Sequence, residues 1–130
     1  MIRENLIPLP IRGHIKKNRK KNPPTLDEIL LDVCNSFNEP IEAVLGKKRK
    51  EDLVKCRRIY FYLANVLTNE SCDAIAGKIN KDHTTYLFHI ENCADWFRIG
   101  EPKFMSQWDT YVSNTLLFGK YFNQTKNTHG

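Results

Sequence analysis

The sequence predicts an all-α fold, and three observations carry that prediction. Apolar residues recur at three- and four-residue spacings in several stretches. Capping residues (Thr25, Ser71 and Asp82) stand directly before three of those stretches. No run of alternating apolar and polar residues reads as a strand. At 130 residues the chain suits one domain and can bury about two thirds of its unfolded surface.

The elements follow in order. Residues 1–24 hold four of the six prolines and no apolar period, so a basic, extended arm ending at Pro23-Pro24 is expected. Thr25 and Glu28 form a capping box ahead of Leu26, Ile29, Leu30, Val33 and Phe37, the stripe of a first helix. Asn38-Glu39-Pro40 ends it. Pro40 suits the first position of a short second helix with Ile41, Val44 and Leu45 inside, and Gly46 suits a left-handed cap after it.

A longer helix then runs to Leu67, with Leu53, Cys56, Tyr60, Leu63, Ala64 and Leu67 on one face. Lys50, Arg57 and Phe61 fall on another, so cations are expected opposite the core stripe. Thr68-Asn69-Glu70-Ser71 reads as a turn. Ser71 caps a short helix carrying Ala74, Ile75 and Ile79, and Asn80-Lys81 is a tight turn in which Asn tolerates the left-handed conformation. Asp82 can cap the next helix through the N–H of Thr84 or Thr85. That helix runs to Phe97, with Leu87, Ile90, Ala94 and Phe97 expected inward. A short helix, a tight turn and a longer helix make a helix-turn-helix pattern. Gly100-Glu101-Pro102 opens a last helix with Phe104, Trp108, Tyr111, Val112 and Thr115 inside, continuing to Leu116 or Phe118. The domain is expected over residues 25–122, with a frayed tail at 123–130.

Charge is segregated along the chain. Residues 1–24 carry seven bases (Arg3, Arg12, Lys16, Lys17, Arg19, Lys20, Lys21) against Glu4 alone. Residues 25–46 carry five acids and no base, and residues 47–58 carry seven bases against two acids. Two basic clusters on a small protein with net charge +5 form an electrostatic footprint for a polyanion. The four cysteines form no C-x-x-C pair; buried thiols are expected, and neither a metal nor a cofactor is. No segment reaches the ~20 apolar residues of a membrane helix or the core of a signal peptide. A cytoplasmic protein is expected, with no membrane partner.

Asp82-His83-Thr84-Thr85 fills the first turn of the second helix of the motif, where side chains reach base edges in a major groove. His83 can donate to a base or phosphate, and each Thr offers a hydroxyl and a methyl. Three stretches, in order, carry a resemblance: Arg49-Lys50-Glu51-Asp52-Leu53-Val54-Lys55-Cys56-Arg57-Arg58-Ile59 leading into Tyr62-Leu63-Ala64; Leu67-Thr68-Asn69-Glu70-Ser71; and Lys81-Asp82-His83-Thr84-Thr85-Tyr86. From Thr25 to Phe97 the chain resembles the C-terminal DNA-binding domain of the bacterial replication initiator DnaA.

The resemblance implies a six-helix, Trp-repressor-like arrangement around the helix-turn-helix. It implies double-stranded DNA as partner, in replication initiation or its regulation, with a replication protein as a further partner and a nucleoid-associated location. Asp82, His83, Thr84 and Thr85, after Lys81, would read bases or hold phosphates. Thr68 and Asn69 would bind the DNA backbone at the turn, and Arg57 and Arg58 would bind phosphates. Lys47, Lys48, Arg49 and Lys50 would lie along the minor groove. Where the family usually places a basic residue that enters that groove, this chain has Glu51, which a narrow A·T groove would repel.

These 130 residues hold no G-x-x-x-x-G-K-[ST], so a free-standing binding domain is expected, similar to those of phages and mobile elements. A transcription regulator is an alternative expectation, and Glu51, Asp52 and the acidic stretch motivate another, a protein-interaction adaptor that kept the fold but lost base reading. An enzyme is not expected, since no paired carboxylates, metal ligands or nucleophile–base motif stands out.

Overall fold

The computed structural model describes residues 23–117, so the expected arm and tail lie outside the described residues apart from Pro23 and Pro24. Among the described residues there are six helices and no strand: α1 (Leu26–Ser36), α2 (Ile41–Leu45), α3 (Glu51–Leu67), α4 (Cys72–Lys78), α5 (His83–Ile99) and α6 (Pro102–Asn114).

The capping box at α1 forms in both directions. Glu28 N donates to Thr25 Oγ1 at 3.1 Å, and Thr25 N donates to Glu28 Oε1 at 2.9 Å. Asn38 turns the chain with φ 57°, and Pro40 serves as N-cap of α2, one position before the expected one. Gly46 is extended (φ −80°, ψ −167°) rather than left-handed. The α2 carbonyls accept from distant side chains instead, Ala43 O and Val44 O from Arg57 and Leu45 O from Asn80.

Helix α3 is the hub, packed against α1, α2, α4 and α5. From Cys56 to Ala64 every residue is buried, the pattern of a helix enclosed all round. This corrects the expectation of a cationic outer face. Phe61 is fully buried, and Arg57 and Arg58 are 4% and 9% exposed. Two tyrosines fasten the helix-turn-helix to this hub: Tyr60 Oη donates to Ile75 O at 2.8 Å, and Tyr86 Oη donates to Asn65 Oδ1 at 2.9 Å.

Ser71 caps α4 through Ala74 N, Asn80 takes φ 61° in the turn, and Asp82 caps α5 through Thr85 N. The buried residues of α5 are Tyr86, His89, Cys93 and Phe97. Leu87, expected inward, is instead 43% exposed. The inner stripe is rotated by one residue because Tyr86 seeks its Asn65 partner. Gly100 closes α5 in the left-handed region (φ 69°), where a side chain would be strained.

Helix α6 lays Phe104, Trp108 and Tyr111 onto the core, where Trp108 meets Tyr62 and Phe97 edge-on. It stops at Asn114, short of the expected Leu116. The stop has a cause: the Asp32 carboxylate accepts from the N–H groups of Leu116 and Leu117 and from the hydroxyls of Tyr111 and Thr115. Cys34, Cys56 and Cys93 are buried as expected. Cys72, the first residue of α4, is exposed, against expectation.

Candidate nucleic-acid interface

The turn between α4 and α5 sets the exposed start of α5 at the surface. There the Asp82 Oδ1 accepts from Thr85 N at 2.9 Å, and this hydrogen bond holds the carboxyl below its usual range. His83 and Thr84 are exposed, and His83 Nδ1 lies 3.5 Å from Asp73 Oδ1 of α4. The N-terminus of α5 thus offers hydroxyls, an imidazole and the positive end of a 17-residue helix.

Lys47, Lys48, Arg49 and Lys50 form an exposed loop between α2 and α3. Their backbone is organised by Arg57 from inside α3. Its guanidinium donates to four carbonyls: Val44 O at 2.8 Å, Lys48 O at 2.7 Å, and Ala43 O and Gly46 O at 3.1 Å each. Lys81, from the helix-turn-helix turn, donates to the same Gly46 O at 2.8 Å, and Asn80 Nδ2 donates to Leu45 O at 3.3 Å. The loop is therefore tied to the start of α5, although 35 residues separate Gly46 from Lys81.

A groove of about 610 Å³ results, lined by Lys47 and Arg49 on one side and by Lys81, Thr84, Thr85 and Phe88 on the other. Among the described residues no carboxylate lines it. Burial lowers the Lys81 pKa, and the nearby charges of Arg57, Arg49 and Lys47 lower it further. Burial also lowers the Arg57 pKa. The groove is an unneutralised cluster of positive charge beside a helix N-terminus, a setting suited to an anion.

Not every expected site residue faces this groove. The Arg58 side chain turns the other way: Nη1 donates to Gln107 Oε1 at 2.8 Å, lies 3.6 Å from Glu51 Oε2, and its guanidinium sits 5.0 Å from the Trp96 ring centroid. Glu51 also accepts from Gln107 Nε2 at 2.8 Å and lies 3.8 Å from Lys103 Nζ. Burial alone would raise its pKa, but the Gln107 amide, Arg58 and Lys103 together lower it. Glu51 is thus engaged with α6.

Thr68 finishes α3, donating to Ala64 O at 2.7 Å and accepting from Glu70 N at 3.2 Å; Asn69 beside it is exposed. Two groups escaped the sequence reading. Gln107 gave no local signal, because its partners are about fifty residues away. Phe88 did give one: it lies four residues after Thr84, on the same helix face.

Among the described residues, no helix is long and apolar enough to cross a membrane, and no group of three or more His, Cys, Asp or Glu is placed to hold a metal ion.

Comparison with known proteins adds a family. Residues 26–92 match the model of the bacterial dnaA protein helix-turn-helix. The chain is 34% identical over 86 residues to the chromosomal replication initiator protein DnaA of Campylobacter jejuni subsp. jejuni (strain 81-176), covering 65% of this chain and 19% of that protein. It is 36% identical over 72 residues to the protein of the same name from Oenococcus oeni (55% and 16%), and 42% identical over 64 residues to that of Bacteroides thetaiotaomicron (48% and 14%). The chain thus matches less than a fifth of the length of these relatives. No solved structure matches it.

Proposed function

The chain belongs to the bacterial DnaA helix-turn-helix family, and on that premise we propose that it binds double-stranded DNA at a specific sequence, a DnaA-type box or a related site. The observation that carries this reading is the single groove in which the cationic loop and the start of α5 face each other. In the proposed complex α5 enters the major groove by its N-terminus. His83, Thr84 and Thr85 meet base edges there, and Asp82 caps the helix or accepts from a cytosine amino group. Lys47, Lys48, Arg49 and Lys50 follow the phosphates toward the neighbouring minor groove, and Lys81 adds its charge at the junction. Thr68 and Asn69 stand at the turn, beside the backbone.

Arg57 takes a different part from the phosphate contact that the resemblance implies. It holds the loop in shape and lends its charge from behind. In this proposal Arg58 and Glu51 stand away from the groove, both engaged with Gln107 of α6. The setting we propose is control of replication initiation beside the bacterial nucleoid, with a replication protein as a further partner.

The test is fluorescence anisotropy with three labelled duplexes across a salt series: a DnaA-type box, a scrambled box and a random library for selection. Box-selective binding with a steep salt slope is the expected outcome. His83→Ala should cost about 1–3 kcal/mol on the selected site and nothing on random duplex. No binding at low salt would refute the reading and favour an adaptor.

A further inference from the structure

Phe88 is 60% exposed although it sits in the middle of a helix that buries its neighbours Tyr86 and His89. Its ring is braced from below. It meets the His89 imidazole at 5.5 Å and 69°, and His89 in turn lies 5.6 Å from the buried Phe61 ring at 33°. Burial, with Arg58 and Arg57 nearby, pushes the His89 pKa down to about 4, so the support beneath Phe88 is uncharged at neutral pH. The ring lines the groove together with Lys47, Arg49, Lys81, Thr84 and Thr85. An apolar group placed among cations and hydroxyls does nothing for phosphate binding. It needs an apolar partner on an otherwise polar, anionic ligand.

In a duplex major groove that partner is the C5-methyl of a pyrimidine, the one apolar group on the base edges. We propose that Phe88 is a specificity-determining residue that packs on a thymine methyl in the major groove, an inference that rests on the DNA-binding reading above. Phe88 stands one helical turn after Thr84 on the same face, so the thymine neighbours the base that Thr84 meets.

The test begins with the site that the wild-type chain selects from random duplexes. Each thymine in that site is replaced in turn by uracil, which removes the methyl alone. Affinities are measured for wild type, Phe88→Ala and Phe88→Leu, with thermal melts to confirm that each variant is folded. At one thymine, uracil should weaken wild type about three- to tenfold, the scale of one buried methyl contact. Phe88→Ala should bind the intact site correspondingly less well and be indifferent to that uracil, while Phe88→Leu keeps part of the discrimination. A 5-methylcytosine·guanine pair at that position should recover affinity for wild type over unmodified cytosine, but not for Phe88→Ala. Equal affinity of Phe88→Ala for the intact site, with wild-type sensitivity to uracil, overturns the inference. A wild-type chain that selects no sequence overturns both this inference and the DNA reading beneath it, and that failure is seen before any variant is made.

Discussion

Replacing Arg57 by Ala separates an organiser from a phosphate contact, and does so without DNA. Arg57 is 4% exposed, and its guanidinium donates to four carbonyls at 2.7–3.1 Å. Hydrogen bonds to a charged group contribute about 1.5–3 kcal/mol each, but four bonds to one group do not add. Lys48 O lies in the exposed loop and rehydrates, and Gly46 O keeps Lys81 as donor. Ala43 O keeps the Gly46 N–H as donor, which leaves Val44 O as the costly loss, about 1–3 kcal/mol. Relief of repulsion with Lys81, Lys47 and Arg49 returns under about 1 kcal/mol at this screened site. The expected net loss is about 2 kcal/mol, against a typical total of about 5–15 kcal/mol, with a melting point lower by roughly 5–15 °C. Urea and thermal unfolding of the full chain measure it. Arg57→Lys should recover less than half, because one ammonium cannot span a fork of four acceptors. A surface arginine that waits for phosphate costs under about 0.5 kcal/mol when removed, and a loss that small would refute the reasoning.

Other outcomes follow from the same geometry. Asp32→Ala removes the one acceptor on which two hydroxyls and two backbone N–H groups converge, so urea unfolding should show a loss of about 3 kcal/mol. His89 is depressed in the folded state to about 4 from an ordinary 6.5. The unfolded chain therefore binds more protons between those values, and stability should fall as pH drops through that window, by about 3 kcal/mol; His89→Phe should flatten the curve. A thiol reagent should modify Cys72 quickly in the native protein. Cys34, Cys56 and Cys93, buried and pushed up to about 11, 12 and 12, should react only on unfolding. Arg58→Met should lower the melting point yet leave the salt slope of DNA binding unchanged, since its charge is spent on Glu51; a slope smaller by about 0.9 would mean a phosphate contact.

Local physics made much of this legible. The capping box at Thr25 and Glu28, the caps at Ser71 and Asp82 and the left-handed Asn80 depend on neighbours within four residues, and each forms as the sequence implies. What failed was long-range. The end of α6 depends on Asp32, more than 80 residues before Leu116 and Leu117. The form of Gly46 depends on Arg57 and Lys81. Helical spacing put Arg57 and Phe61 on one face correctly, but could not show that four other helices enclose α3. Charge misled for the same reason: arginine in a basic run reads as surface until its acceptors are known.

Arg57 and Arg58 are neighbours in sequence with opposite electrical fates, and the chemistry of their acceptors decides which. Arg58 meets a carboxylate, so its positive charge is cancelled locally and little of it reaches the solvent. Arg57 meets only backbone carbonyls, which fix a guanidinium firmly while carrying no net charge. The charge is immobilised and left standing. Beside it Lys81 is held on the same Gly46 carbonyl, and its pKa is lowered first by burial and then by the like charges around it. A protein that needed only stability would place an acid here. On the proposed reading, a groove in which Arg57 and Lys81 are held by carbonyls, with no carboxylate among its described lining residues, needs less reorganisation to receive a polyanion, whose charge would relieve the repulsion.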